Sequence, residues 1–456
     1  MKYSIITFGC RVNQADSLRI EEELRRRGGV AAGPSDADLV VVNTCSVTAS
    51  ADQGARQTIR RIARDNPQAR VVVTGCYATR RPEEVAALPN VVRVVPNDQK
   101  DELLSHIPVA SGFELSHIPV ASAFRRKTVT TATRFGDGDG PCGLAIEPGV
   151  GGRTAFTLRV QTGCEERCSY CIIPTTRGRG RSVAIPDVMR EVERIAAAGF
   201  KEIALTGVHL GSYGRDLQPR TSLATLLRAL EASAADVVFR ISSLEPMDCS
   251  PEIVDLVVRS GGRFAPHFHL PLQHASDRLL SMMRRPYSLV YYRRLVDGIK
   301  ERLPDASIGS DIIVGFPGES DEDFAINAGY LASSPLTHLH VFPYSDRPGT
   351  EASRLGHRVD GTVVRLRGVT VRRIGSTLVE RFRLSQIGTL RPGLTLDDGT
   401  VVVTDNYLKL RIPAGLKRNS RVTVRVDDEI SATPVRPASD PSSSPGGRPA
   451  PFASIP

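Results

Sequence analysis

The amino-acid sequence predicts an α/β protein: an N-terminal βαβ domain, a central partial barrel of six βα units and a small C-terminal β-barrel. Three observations carry that prediction. Apolar, β-branched runs recur about every 30 residues near the start of the chain, with helix-like stretches between them, which is the size of a βαβ unit. Between about residues 153 and 345, six further runs alternate with segments whose apolar positions lie three and four apart. After about residue 376 only short β-rich runs remain.

A chain of 456 residues, 41% hydrophobic and 24% charged, has the length for two to four domains and the balance of an ordinary globular protein. No apolar stretch reaches transmembrane length, and the opening MKYSIITFGC is too short an apolar run, with no small-residue cleavage pattern, to read as a signal peptide. A cytoplasmic protein without membrane contact is expected. In that compartment eight cysteines stay reduced, so their grouping reads as metal ligation rather than as a disulfide framework. The formal net charge of +9 suits an anionic partner such as RNA but does not by itself establish one.

In the N-terminal domain, residues 1–125, three runs each end at a cysteine: 4–8 before Cys10, 39–42 before Cys45 and 71–74 before Cys76. Helical patterns at 14–27 and 50–65 join them. Parallel strands joined by right-handed crossovers end on one edge of the sheet, so residues just past those ends converge. Cys10, Cys45 and Cys76 are therefore expected to meet at one point as a metal-binding set. The alternative is three inert buried thiols, since free cysteine is among the most buried residues. Residues 126–152 read as a linker, glycine-rich from 136 and containing an unpartnered Cys142. Ahead of it the octapeptide LSHIPVAS occurs at 104–111 and again at 115–122, a local duplication in a surface connection.

The core, residues 153–375, opens with the run 157–161, and Cys164, Cys168 and Cys171 follow in a CxxxCxxC spacing on the loop leaving that strand. Thiolates select iron–sulfur clusters or zinc, and both ordinarily take four protein ligands. With no fourth cysteine nearby, an iron–sulfur cluster here keeps one iron open to a substrate or cofactor. A zinc knuckle and a reduced structural cluster are the alternatives, although zinc favours CxxC pairs in closed sets of four. Strands at 202–206, 239–243, 268–272, 308–314 and 338–342 follow, separated by helices at 187–198, 222–232, 288–303 and 320–332. They predict an open parallel barrel with ligands at the C-terminal strand ends. PTTRGRGRS, at 174–182, sets Arg177, Arg179 and Arg181 on a flexible loop, as contacts to RNA phosphates or as a solvated basic loop. Cys249, without a partner, reads as structural. Runs at 399–403, 407–412 and 421–426 mark the small barrel, residues 376–432, and the proline-, serine- and glycine-rich 433–456 a disordered tail.

CxxxCxxC with an aromatic residue before its last cysteine is similar to the signature of radical S-adenosylmethionine (SAM) enzymes. ITFGCRVNQADS, VVNTCSVT and VTGCYA resemble the N-terminal domain of the methylthiotransferase branch of that superfamily. RISSLEP, HLPLQHASD, MRRPYS, SDIIVGFPGE and HVFPYSDRPGT extend the resemblance through the core, and 404–409 resembles the RNA-binding TRAM module. The likeness covers nearly all of residues 1–430. It implies a radical SAM barrel with a TRAM-like C-terminal barrel, and two [4Fe-4S] clusters. One cluster is implied on Cys164, Cys168 and Cys171, with SAM on its open iron, and an auxiliary one on Cys10, Cys45 and Cys76. It also makes Tyr170, Thr206, Gly207, Ser243, Glu245, Gln273 and Asp311 candidate SAM contacts.

The quoted runs look most like enzymes that add a methylthio group to C2 of N6-threonylcarbamoyladenosine in tRNA, beside the anticodon. Partners implied are tRNA, an electron donor such as flavodoxin or ferredoxin, and an unidentified sulfur donor. The C2–H bond of adenine is neither acidic nor next to a leaving group, so acid–base and nucleophilic catalysis gain no purchase on it and a radical route is needed. Still open are the same chemistry on isopentenyl-adenosine in tRNA or on a ribosomal-protein aspartate, and a non-catalytic iron–sulfur scaffold or electron carrier.

Overall fold

The computed structural model describes residues 1–106 and 154–435. The expected linker with Cys142, the second octapeptide copy and residues 436–456 of the expected tail lie outside the described residues, while 433–435 of that tail belong to a strand. No helix among those described is long and apolar enough to cross a membrane.

The N-terminal domain is a parallel sheet of β1 (Lys2–Thr7), β2 (Val30–Ala31), β3 (Leu39–Thr44), β4 (Arg70–Gly75) and β5 (Val91–Val95), in the order β2-β1-β3-β4-β5. β3 is buried along its whole length, as its unbroken LVVVNT run requires of a central strand covered on both faces. The crossovers are α1 (Arg11–Arg26), α2 (Ala49–Asp65), α3 (Cys76–Arg80) and α4 (Pro82–Ala86). Pairing of Thr7 with Asn43 and of Thr44 with Gly75 aligns the C-terminal ends of β1, β3 and β4.

The core alternates as expected. β6 (Ala155–Arg159) leads through a small hairpin of β7 (Gln161–Thr162) and β8 (Arg181–Ser182), with α5 (Ile173–Arg177) inside it. Then come α6 (Ile185–Ala197), β9 (Glu202–Thr206), α7 (Leu223–Glu231), β10 (Val238–Ile241) and α8 (Pro251–Arg259). They are followed by β11 (His267–His269), α9 (Asp277–Met282), α10 (Leu289–Arg302), β12 (Ser307–Val314), α11 (Asp321–Ser333) and β13 (His338–Pro343). The strands form two parallel three-stranded halves, β10-β9-β6 and β11-β12-β13, over one continuous apolar core. A parallel bridge from Phe239 to Phe264 carries one half toward the other, giving the partial six-stranded barrel.

The sequence pattern did not reveal α12 (Gly361–Gln386), a helix of 26 residues. It runs straight through positions 375 and 376, where the sequence reading ends the core and begins the C-terminal module. Asp360 caps it by accepting from the Thr362 and Val363 amides. Beyond it, β14 (Leu390–Leu396), β15 (Val401–Thr404), β16 (Lys409–Arg411), β17 (Arg421–Val426) and β18 (Ala432–Val435) form an antiparallel sheet in the order β16-β15-β14-β17-β18. A bridge between Arg411 and Ser431 curls its two edges together. This module docks under the N-terminal ends of the core strands. Asn419 donates to the Gly199 carbonyl (2.8 Å), Asn406 to that of Asp305 (3.0 Å), and Arg421 pairs with Asp236. The cysteine-bearing end of the barrel is left to the N-terminal domain.

Candidate active site

The first cysteine set is assembled by the aligned strand ends. Cys10 precedes α1, Cys45 follows β3 and Cys76 begins α3. Gly9 and Gly75, each just before a cysteine, have φ of 94° and 97°. A Cβ on Gly9 would lie 2.5 Å from Cys45 Cβ, and one on Gly75 2.1 Å from the Thr44 carbonyl oxygen, so the two Gly-Cys pairs share one steric cause. Asn13 fixes the turn between β1 and α1 by donating to the carbonyls of Phe8 (2.8 Å) and Thr44 (2.9 Å). Burial, and then the neighbouring Cys10 and Cys76, push the Cys45 thiol up to about 12. The sulfurs are met by donors: Val47 N–H to Cys45 (3.5 Å) and Asn97 Nδ2 to Cys76 (3.6 Å).

A buried charge network faces this set. Asp16 receives Lys100 (2.9 Å), Arg159 (2.5 Å) and Arg177 (3.3 Å), and Arg177 also reaches Asn13 Oδ1 and Cys76. Of the nearby carboxylates, Asp16 is fully buried and Asp101 is half-exposed. With Arg19 also on Asp101 (3.0 Å), four cations against these two leave a positive surplus beside three thiols. Soft sulfur donors with surplus positive charge behind them suit an anionic thiolate-bound cluster. This corrects the expectation for Arg177. Its side chain is 3% exposed on α5 and tied into the domain interface, where it cannot reach RNA. Arg179 and Arg181 are exposed, as a phosphate contact requires.

The second set lies on the loop after β7. Cys164 N–H donates to the Gly178 carbonyl (3.0 Å) and Cys171 N–H to that of Cys168 (3.1 Å). Burial, augmented by Cys168 and Cys164, pushes the Cys171 thiol up to about 12. Arg285 Nη1 donates to Cys168 Sγ (3.2 Å) while its other amino group pairs with Glu245. His209 lies 3.7 Å from Cys164 Sγ and 2.7 Å from Asp248. Burial opposes its charge, but those two hydrogen bonds outweigh burial and raise it to about 9. Arg285, His209 and Asp248 are absent from the sequence reading. Arg285 lies inside the quoted MRRPYS run, but its partners are more than a hundred and some forty residues away.

Most of the candidate SAM residues stand at C-terminal strand ends around this loop. Thr206 closes β9, and a Cβ on Gly207 would come within 3.0 Å of Gln161 Oε1, the atom that accepts from the Val208 and His209 amides. Ser243 is exposed just past β10, and Glu245 is held by Arg285. Gln273 is buried with a φ of 69° and bridges to Ile312. Tyr170 packs against the apolar cluster of Leu279, Met283, Ile313 and Phe316. Asp311 is the exception. It sits within β12, not at its end, and its carboxylate accepts from His269 Nε2 (3.0 Å) and His340 Nδ1 (3.1 Å), which hold it below the ordinary carboxylate range despite burial.

Comparison with known proteins agrees with this geometry. Residues 2–96 match the family described as "Uncharacterized protein family UPF0004", and residues 158–328 match the radical SAM superfamily. The chain is 35% identical over 90% of its length, and 96% of the relative's, to the threonylcarbamoyladenosine tRNA methylthiotransferase MtaB of Aquifex aeolicus. It is 34% identical to the protein of the same name in Bacillus subtilis, over 78% of this chain and 76% of that one. A tRNA-2-methylthio-N(6)-dimethylallyladenosine synthase of Chloroflexus aurantiacus is 33% identical over 77% of this chain and 71% of its own. Among solved structures, the radical SAM methyltransferase TsrM of Kitasatospora setae shares the fold, with a TM-score of 0.52 at 15% identity over 77% of this chain and 73% of that one.

Proposed function

This chain belongs to the radical SAM methylthiotransferases, and from that membership we propose that it adds a methylthio group to C2 of N6-threonylcarbamoyladenosine in tRNA, using two [4Fe-4S] clusters. The observation that carries the reading is the pair of three-cysteine sets, one at the aligned C-terminal ends of β1, β3 and β4 and the other on the loop after β7, with Arg177 of that loop's helix reaching Cys76 across the domain interface. Cys164, Cys168 and Cys171 would hold the cluster that takes SAM, and Cys10, Cys45 and Cys76 the auxiliary one. The chemistry these groups supply when bound is radical activation of a carbon–hydrogen bond and delivery of a methylated sulfur.

The protein's own part is to hold, orient and exclude water. Arg285 and His209 fix the sulfurs of Cys168 and Cys164, and Arg285 also orients Glu245. Thr206, Gly207, Ser243, Glu245, Gln273 and Tyr170 are assigned as the residues that would contact SAM. Exposed Arg181, and Arg179, which pairs only loosely with Glu165 (3.7 Å), are assigned to tRNA phosphates. An anticodon-loop adenine is unpaired, so presenting it costs little compared with opening a duplex. The reducing electron is assigned to a flavodoxin or ferredoxin.

Two variants divide the roles of the cysteine sets. Cys168→Ala is expected to abolish 5′-deoxyadenosine formation, and Cys45→Ala to retain it while losing the methylthio product, both read by mass spectrometry. A Cys45→Ala protein that still methylthiolates contradicts the two-cluster assignment.

A further inference from the structure

Arg11 follows Cys10 directly and reaches out of the N-terminal domain into the core. Its guanidinium donates to Ser242 Oγ (3.4 Å), beyond the end of β10, and to the Tyr407 hydroxyl (3.0 Å) of the C-terminal module. Among the described residues it has no carboxylate partner; its hydrogen bonds go only to hydroxyls. The other guanidinium of this wall differs. Arg240 is buried, paired with Glu202 at 3.0 Å and stacked 4.8 Å over the Tyr407 ring.

The surroundings of Arg11 form one continuous polar wall. Register puts His267, His269, Asp311, His338 and His340 on the face of β11, β12 and β13 opposite the helix-packed Phe268, Ile308 and Ile312. Tyr407 stacks on His267 with ring centroids 4.7 Å apart. Burial, with the neighbouring cations and imidazoles, pushes His267 and His338 below the ordinary imidazole range. Asp311 is already shared by two imidazoles. Arg11 is thus the cation of this wall whose charge no carboxylate answers.

The proposed substrate supplies such a group. Its N6 substituent is a ureido chain ending in a threonine carboxylate. The ureido N–H can close a six-membered ring onto purine N1, which swings the carboxylate round toward the C2 edge. C2 is the atom that must approach the sulfur delivered at the Cys10 set, and Arg11 follows Cys10 directly. We infer that Arg11, assisted by the Tyr407 hydroxyl, anchors the carboxylate of the N6 substituent and selects an anionic over a neutral N6 group. A hydrocarbon substituent in the same position leaves the guanidinium desolvated and unpaired, which disfavours it. This inference rests on the substrate reading above.

The test compares two anticodon stem-loops, one carrying the threonylcarbamoyl acid and one carrying its carboxamide, in the anaerobic reconstituted enzyme. The wild type is expected to favour the acid by roughly 10- to 100-fold in kcat/KM, the range of a charge-assisted hydrogen bond. Arg11→Gln should reduce that ratio to near one, chiefly by raising KM for the acid. Arg11→Lys, which keeps the cation, should retain part of the preference, and so should Tyr407→Phe. The ratio cancels damage common to both substrates, and the lysine variant keeps the test decisive if the glutamine variant does not fold. Arg11→Gln with undiminished acid preference overturns the inference, as does a wild type indifferent to the carboxylate. A wild type that instead modifies only a stem-loop with a neutral N6 hydrocarbon overturns the substrate reading itself, which is a different result.

Discussion

At Asp16 one carboxylate answers three buried cations, and the two catalytic domains are held in register by it. Burial opposes its charge, but Lys100, Arg177 and Arg159 outweigh burial and hold the carboxyl below the usual range. A depressed folded-state pKa means stability fully present above the unfolded value of about 4, declining below it and gone only once pH has fallen through the depressed folded value. Asp16→Asn should therefore cost about 3–5 kcal/mol at neutral pH, as for other broken buried ion pairs, and progressively less as pH falls below about 4. Urea midpoints at pH values of about 7 and 3 check this; an equal loss at both contradicts it. Asp16 was not legible in the sequence, because its partners lie 84, 143 and 161 residues away and only tertiary contact buries the charge. The same cause hid the burial of Arg177, which reads locally as one arginine of a solvated loop. The cysteines stood out locally: Cys10, Cys45 and Cys76 each follow a β-branched run, and Cys164, Cys168 and Cys171 share one short spacing.

The element the sequence concealed most completely is α12. Its buried face, Arg367, Gly368, Val371, Gly375, Leu378, Phe382 and Gln386, recurs at helical steps, but two of its positions carry a cation or an amide and two are glycine. Apolar periodicity alone therefore passes over it. The strands were easier, since each parallel strand is a short apolar run bounded by turn residues; β9 falls at 202–206 as expected. α12 packs along β13 and α11, and its Phe382 enters the core of the C-terminal module with Val402, Leu408 and Val424. Phe382→Ala should cost the module about 3–5 kcal/mol. Limited proteolysis should then cut within residues 390–435 before the core, while SAM cleavage continues. Simultaneous loss of both contradicts a separately packed module.

On the scale of the whole molecule, the N-terminal domain covers the cysteine end of the barrel and the C-terminal module closes the other. The covering domain is tied down by Arg347, which pairs with Asp52 (2.9 Å), and by Ser345, which accepts from the Ala49 amide (3.2 Å). Contacts spanning some three hundred residues leave no periodic trace, so the sequence yields the domains and not how they face each other. Their arrangement lets Arg11, next to Cys10, reach both Ser242 beyond β10 and Tyr407 of the C-terminal module, and lets Arg177 of the core reach Cys76. The direct measurement is to reconstitute the protein anaerobically with iron and sulfide, then add SAM, a reductant and a tRNA stem-loop bearing N6-threonylcarbamoyladenosine. Nucleosides and 5′-deoxyadenosine are read by mass spectrometry. The account predicts the 2-methylthio nucleoside together with 5′-deoxyadenosine; 5′-deoxyadenosine without that nucleoside, with both clusters verified, contradicts it.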